Sequence, residues 1–163
     1  GEPLMQWPFV RDVLNGLFGI HGAVETSGFS SDAVFESVME TCDLVMMDWK
    51  VSDLEKHLRY TGVDAAPIRR HVEMLAEGNT PFILRLPVIP GVNDDRAHFE
   101  TAARLVKNAK KLVRVDILPY QPAAGAKYGM LGMAYRPAFD ENKPPRVYTE
   151  CFEASGIPYQ QFR

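Results

Sequence analysis

Charged and polar residues stand where apolar runs of this sequence end. Glu25 and Thr26 close one apolar stretch, Asp48 and Lys50 follow a second, and Arg85 interrupts a third. Carboxylate and hydroxyl oxygens are hard ligands for a small cation. Lysine and arginine neutralise carboxylate or phosphate groups on a ligand. These residue types therefore predict a site for a charged small molecule, with or without a cation.

Two structural interpretations of the same residues stay open. Asp48 and Lys50 are two positions apart, so on a strand they point to one side and could simply pair with each other. Arg85 could be the partner in a structural ion pair, because arginine is rarely buried unpaired.

The apolar periodicity predicts alternating strands and helices. Strands are expected over residues 19–26, 44–47 (buried on both faces), 82–89 and 112–118, with a short last strand from Pro158. Helices are expected over residues 7–17, 30–40, 65–77, from an Asn93–Asp94 cap onward, and over 144–154, with a long loop at 119–140. Such alternation indicates an α/β fold with a parallel sheet, in which strand ends meet at one edge. A doubly wound sheet and a barrel both fit, but no Gly-x-Gly-x-x-Gly motif supports a dinucleotide site.

Composition narrows the function. The 163 residues suffice for one domain over positions 1–163, with 46% hydrophobic and 24% charged residues, as in ordinary globular proteins. A net charge of -3 argues against nucleic acid as a partner. The absence of a long apolar run and of a leader predicts a cytoplasmic protein without membrane contact. Cys42 and Cys151 are too few for a four-cysteine zinc site and are expected to be buried free thiols.

The histidines give weaker signals. His21 is interpreted as structural, since no partner residue lies near it in the sequence. The other three fall in helical, charged stretches and are expected to be solvated: His57, His71 and His98.

Five short motifs occur in order along the chain. They are Gly-Glu-Pro-Leu at 1–4, His-Gly-Ala-Val-Glu-Thr-Ser-Gly at 21–28, Asp-Leu-Val-Met-Met-Asp-Trp-Lys at 43–50, Arg-Leu-Pro-Val-Ile-Pro-Gly-Val-Asn-Asp at 85–94, and Leu-Pro-Tyr at 118–120 followed by Lys127-Tyr128. Tyr60-Thr61-Gly62 fits a helix between the third and fourth. Each motif is weak alone, but together and in this order they resemble the glycyl-radical-enzyme activases, such as pyruvate formate-lyase activating enzyme.

The resemblance implies part of a (β/α)6 partial TIM barrel. This chain would supply about the third to sixth strands and the C-terminal helix. The first two strands and a Cys-x-x-x-Cys-x-x-Cys loop, which holds a [4Fe-4S] cluster, would lie upstream. The implied activity is reductive cleavage of S-adenosylmethionine and generation of a glycyl radical on a partner enzyme. An electron donor such as flavodoxin or ferredoxin is implied too, and the fragment alone is expected to be inactive.

The resemblance also implies roles for individual residues. Cofactor contacts are expected from Gly1, Glu2, Glu25, Thr26, Asp48, Lys50, Arg85 and Gln121. Gly1 and Glu2 would lie against the methionyl amino group, and Lys50 and Arg85 against polar groups of the cofactor. A monovalent cation would be held by Glu25, Thr26, the Met46 carbonyl and Asp48. Two residues depart from the family pattern: Glu25 replaces an Asp, and Gln121 stands where a His often follows Leu-Pro-Tyr.

Three other hypotheses about the function are compatible with parts of the sequence. Asp48-x-Lys50-x-x-Asp53 also resembles a signature of orotidine-phosphate decarboxylases, although no Gly-rich phosphate loop follows near the end of the chain. A Schiff-base aldolase using Lys50 is another possibility. A third is a non-catalytic module that docks on the radical enzyme.

Overall fold

The computed structural model describes residues 1–121 and 128–162. Lys127 of the last motif and part of the predicted 119–140 loop lie outside the described residues. The strands are β1 (Ala23–Thr26), β2 (Leu44–Asp48), β3 (Phe82–Val88), β4 (Leu112–Pro119) and β5 (Tyr159–Gln161). A 3₁₀ helix (Pro3–Gln6) precedes the helices α1 (Trp7–Asn15), α2 (Asp32–Met39), α3 (Leu54–Thr61), α4 (Ala66–Glu77), α5 (Arg96–Val106) and α6 (Glu150–Glu153).

The five strands form one parallel sheet in the order β1-β2-β3-β4-β5. Each strand therefore lies beside the next one in sequence, with no reversal of order. A doubly wound sheet reverses its strand order at a switch point, whereas a barrel winds in one direction. The topology thus confirms the α/β fold and decides for part of a barrel.

One face of the sheet packs on the helices. Val45 and Met47 of β2 and Leu84 and Leu86 of β3 are all 0% exposed on that face. The alternate positions of β2 are only half-buried, so the expectation that this strand is buried on both faces is wrong. Because side chains alternate along a strand, the polar residues of the sheet collect on the less covered face.

Three predicted elements have different bounds in the structure. The first strand begins only at Ala23, after Gly19 with its left-handed φ of 71°. Helix α5 begins later than predicted, at Arg96. Its N-cap is Asp95 rather than the Asn93–Asp94 pair. The predicted 144–154 helix is limited to α6, and residues 144–148 are irregular, where Pro145 disfavours a helical backbone at Pro144.

The three histidines expected in solvent are buried, at 2%, 0% and 2% exposed for His57, His71 and His98. His71 stacks on Phe35 with ring centroids 4.0 Å apart and bonds the Gly28 carbonyl at 2.7 Å. Its other ring nitrogen lies 3.2 Å from Asp32 Oδ1, so both ring nitrogens of His71 are satisfied, whereas Nε2 of His57 and of His98 has no partner in the part of the chain that the structure describes. His21, interpreted as structural, is exposed. Among the described residues, no helix is long and apolar enough to cross a bilayer.

Candidate functional site

The structure brings Glu25, Asp48, Lys50 and Arg85 into one chain of contacts. Arg85 Nη1 lies 2.5 Å from Glu25 Oε1, and Arg85 Nε lies 3.7 Å from Asp48 Oδ1. Lys50 Nζ lies 3.2 Å from Asp48 Oδ2. Both structural pairings that the sequence left open are therefore present. They do not exclude ligand binding, because the Lys50 side chain is 40% exposed and the Glu25 side chain 57% exposed.

These side chains meet because three parallel strands end at the same edge. Asp48 is the direct neighbour of Arg85 in the β2–β3 register, and Glu25 lies opposite Met46 in the β1–β2 register. The amide of Trp49 extends the pairing by donating to the Arg85 carbonyl at 2.8 Å. The carboxyl edge of such a sheet is where ligands bind in barrel and open α/β folds.

Glu2 joins the N-terminal segment to the end of β1. Its carboxylate accepts from the Thr26 hydroxyl at 2.5 Å, from the Ser27 hydroxyl at 2.6 Å and from the Ser27 and Leu4 amides at 2.8 and 3.2 Å. Burial alone would raise the pKa of the Glu2 carboxyl, but the hydrogen bonds from Ser27 and Thr26 outweigh it and lower the pKa. Glu2 is therefore ionised at neutral pH and lies at the predicted site.

The turn after β1 is held in one conformation. Gly28 has a φ of 73°, a conformation that strains any side-chain-bearing residue, and a Cβ there would lie 2.1 Å from Met47 Cε, so the Met47 side chain would also have to move. The Thr26 hydroxyl accepts from the Gly28 amide at 2.9 Å. This close packing explains why the second motif ends in glycine.

Two adjoining cavities open at this edge. The first measures about 360 Å³ and is lined by Gly1, Glu2, Pro3, Glu25, Thr26, Ser27, Asp48 and Lys50. The second measures about 470 Å³, shares Glu2, Ser27, Asp48 and Lys50 with the first, and is lined elsewhere largely by Met5, Phe29, His57, Tyr60, Thr61, Val63 and Ile68. Such volumes suit a small-molecule ligand with a charged end and an apolar remainder.

The predicted cation ligands fit only in part. The buried oxygen Asp48 Oδ1 accepts no hydrogen bond from the residues that the structure describes, although the Arg85 guanidinium lies 3.7 Å away, so it could accept a closer positive group if Arg85 moved. The Glu25 carboxylate, however, is shared with Arg85, and the Thr26 hydroxyl is engaged by Glu2 and Gly28. Within the described ranges, no group of three or more His, Cys, Asp or Glu residues is arranged to hold a metal ion.

The two cysteines do not fit an iron–sulfur cluster. Cluster irons are held by several cysteine thiolates, and this sequence has two cysteines, far apart. Cys42 is buried as predicted, and burial raises the pKa of its thiol to about 11. Cys151 is only half-buried. The cluster implied by the resemblance would need ligands outside this chain.

Gln121, predicted as a cofactor contact, and Asp53, predicted only for the decarboxylase alternative, lie apart from this site. Gln121 is exposed and lines neither cavity. Asp53 caps α3, where its Oδ1 accepts from the Lys56 amide at 2.8 Å, and it lines a different cavity from Asp48 and Lys50. The alternating Asp-Lys-Asp arrangement of a decarboxylase is therefore absent from the described edge.

Sequence reasoning missed two neighbours of the site. Asp116 of β4, 6% exposed, is the register partner of Arg85 and pairs with Arg114 at 2.6 Å. Asp116 could have been predicted as a site neighbour, because it is an acidic residue within an otherwise apolar strand. Asn93, 2% exposed, donates to the Lys50 carbonyl at 2.5 Å, and no local pattern indicated this contact.

Comparison with known proteins identifies relatives along most of the chain. It is 36% identical over 138 residues to the benzylsuccinate synthase activating enzyme of Thauera aromatica, covering 82% of this chain and 42% of the relative. It is 30% identical over 143 residues to the pyruvate formate-lyase-activating enzyme of Staphylococcus aureus, covering 83% of this chain and 57% of the relative. No family model matches.

A solved structure supports the fold. A domain of pyruvate-formate lyase-activating enzyme from Bacteroides vulgatus superposes with a TM-score of 0.75 at 24% identity, covering 100% of this chain and 95% of that one. The chain spans about half the length of the curated relatives that it matches, 42% and 57% in the two cases. It belongs to the family of glycyl-radical-enzyme activating enzymes.

Proposed function

We propose that this chain is the part of a radical S-adenosylmethionine activating enzyme that binds the methionyl end of the cofactor. The observation that carries the proposal is the contact chain of Glu25, Arg85, Asp48 and Lys50 beside a cavity of about 360 Å³. Glu2, one motif upstream, lines the same cavity. Membership of the activating-enzyme family is the reason for choosing S-adenosylmethionine as the cofactor in this proposal.

The charges of the cavity complement an amino-acid zwitterion. Lys50 and Arg85 offer positive groups to the methionyl carboxylate, while Glu2 and Asp48 offer negative groups to the methionyl ammonium. Gly1, which also lines this cavity, lets the backbone approach the ligand closely. Opposite charges on both sides orient a zwitterion better than a single ion pair does.

The chemistry itself would come from the bound cofactors. When bound, S-adenosylmethionine and a reduced [4Fe-4S] cluster would supply the radical chemistry that removes a hydrogen atom from a glycine of the partner. In our proposal the cluster ligands lie elsewhere in a longer protein, and the chain's own residues bind and orient the methionyl group. The partner is a glycyl radical enzyme, the electron donor is a flavodoxin or ferredoxin, and the site of action is the cytoplasm.

We also propose a monovalent cation held by Glu25, Thr26, the Met46 carbonyl and Asp48. The unpartnered Asp48 Oδ1 supports it. For the cation to bind, the Arg85 guanidinium must leave Glu25 and turn toward the cofactor. The Arg85 side chain is 20% exposed and contacts Glu25 and Asp48, which both line the cavity, so a turn of the guanidinium would bring it toward the ligand. Gln121 retains a proposed ribose contact only if the bound cofactor reaches beyond the two cavities.

The test uses the full-length enzyme after anaerobic cluster reconstitution. It should cleave S-adenosylmethionine, and Lys50→Met and Arg85→Met should each weaken binding of the cofactor about ten-fold or more, since each removes one charge-assisted contact. The 163-residue chain alone should show no iron absorbance and no cleavage. Unchanged affinity in both variants would overturn the site, and a full-length protein that binds only the partner would favour a docking module.

A further inference from the structure

Asn93 lies in the turn between β3 and α5, and every polar atom of its amide is used. Oδ1 accepts from the Ile89 amide at 2.7 Å. Nδ2 donates to the Lys50 carbonyl at 2.5 Å and to the Pro87 carbonyl at 2.6 Å. Because two carbonyls can only accept, the orientation of the amide is determined, and its two donors and its acceptor are all satisfied.

The hydrogen bonds of Asn93 connect β2 and β3 beyond the point where their backbone pairing ends. The β2–β3 register ends at Asp48 and Arg85, and the last backbone bond runs from the Trp49 amide to the Arg85 carbonyl. Lys50 comes one residue later, where β2 has left the sheet. Asn93 joins the backbone of Lys50 to β3, two positions beyond Arg85.

Two further side-chain contacts hold the residues around Lys50. The Trp49 indole Nε1 donates to the Ser52 hydroxyl at 2.8 Å, and Ser52 Oγ lies 2.8 Å from His98 Nδ1. Trp49 and His98 are each 2% exposed. Trp49 and Ser52, which flank Lys50 in the sequence, are thus joined to a buried histidine, while Asn93 binds the carbonyl of Lys50 itself.

We propose that Asn93 is a positioning residue for Lys50 and, through it, for binding of the cofactor carboxylate. This inference rests on the proposed function. The Lys50 ammonium lies 3.2 Å from Asp48 Oδ2, and the position of the Lys50 main chain sets the region that its four-carbon side chain can reach. Displacing the carbonyl of Lys50 would move the ammonium away from Asp48 and from the cavity of about 360 Å³ that both line.

The sharpest variant is Asn93→Asp in the full-length, cluster-loaded enzyme. It keeps the size of the side chain and an acceptor for Ile89 but loses both donors to the carbonyls. Calorimetry with S-adenosylmethionine should show about ten-fold weaker binding. In a Lys50→Met background the same change should weaken binding no further, because the group that it positions is already gone.

A control at the opposite edge separates positioning from general destabilisation. Asp43 accepts from the Gly22 amide at 2.8 Å through Oδ2, far from the carboxyl edge. Asp43→Ala removes a comparable side chain–backbone bond and should leave cofactor affinity within two-fold. Equal weakening by Asn93→Asp with and without Lys50, or unchanged affinity in Asn93→Asp, would overturn the proposal.

Amide hydrogen exchange gives a readout that does not depend on the cofactor. In the full-length enzyme, Asn93→Asp should speed exchange of the Trp49 amide, which donates to the Arg85 carbonyl next to Lys50, relative to the same amide in Asp43→Ala. If Asn93→Asp fails to fold, Asn93→Ser answers the same question. Faster exchange together with no cofactor binding by the unmutated enzyme would reject the proposed function, whereas unchanged exchange would reject the role of Asn93.

Discussion

A single carboxylate oxygen, Glu2 Oε2, accepts hydrogen bonds from both the amide and the hydroxyl of Ser27, at 2.8 and 2.6 Å. The N-terminal segment is therefore attached to the turn after β1 by a charged side chain. The same carboxylate lines both cavities. Anchoring the chain and presenting a negative charge to a ligand are thus done by one group.

Glu2→Gln should destabilise the chain by about 1–2 kcal/mol, because an amide cannot accept all the donors that meet the charged group. Urea unfolding at pH 7 measures this, with the exposed Glu36→Gln as a matched control. The Glu2 pKa is lowered on folding, so its stabilisation is present above the unfolded value of 4.5 and is lost as the pH falls through the lowered one. The gap between wild type and Glu2→Gln should therefore narrow in acid, and a gap that widens there would contradict the assignment.

Asp48→Asn should weaken cofactor binding by about ten-fold, since it removes the negative charge beside Lys50 and Arg85 at nearly constant volume. Calorimetry on the full-length enzyme measures the affinity. Asp43→Asn changes an aspartate at the opposite edge of the sheet and should bind normally. An Asp48→Asn enzyme with wild-type affinity would show that the carboxylate serves only the fold.

The proposed cation predicts a dependence on the salt used. At one ionic strength, the full-length enzyme should bind S-adenosylmethionine several-fold more tightly in potassium chloride than in the chloride of a large organic cation that cannot enter the site. Glu25→Gln should reduce that difference, because it removes a charged ligand. Equal affinity in both salts would mean that Arg85 and Lys50 neutralise Glu25 and Asp48 without a cation.

The central strands could be predicted closely from the sequence. Strands β2, β3 and β4 match their expected ranges within a residue or so at each end, because short apolar runs bounded by polar and turn residues are typical of strands. The convergence of Glu25, Asp48, Lys50 and Arg85 followed from the same reasoning, since parallel strand ends share an edge. Only the strand order, which separates a barrel from a doubly wound sheet, needed the structure.

The contacts of Asn93 and the buried histidines could not be predicted, because they depend on tertiary packing. Asn93 and Lys50 are 43 positions apart, so no local spacing signals their bond. His71 lies on a helix between charged residues, which suggested solvent, but it faces α2 and stacks on Phe35. Charge pattern alone does not reveal which side of a helix packs on the sheet.

The buried His98 predicts a pH dependence of stability above the range where carboxylates titrate. Burial lowers its pKa from 6.5 to about 4, with Asp95 opposing and Lys56 assisting the shift. Between those values the unfolded chain binds a proton that the folded chain does not, so the free energy of unfolding falls as the pH falls. The loss attributable to His98 should reach about 2 kcal/mol at pH 5 relative to pH 7.

Urea unfolding of the wild type and of His98→Asn at pH 7 and pH 5 tests this. Asparagine can still bond Ser52 but does not titrate, so the variant should lose less stability than the wild type between the two pH values. His21→Asn, at an exposed histidine, should keep the wild-type difference. If His98→Asn also keeps it, the imidazole of His98 is protonated in the folded chain, and its unpartnered Nε2 must then have an acceptor or solvent within reach.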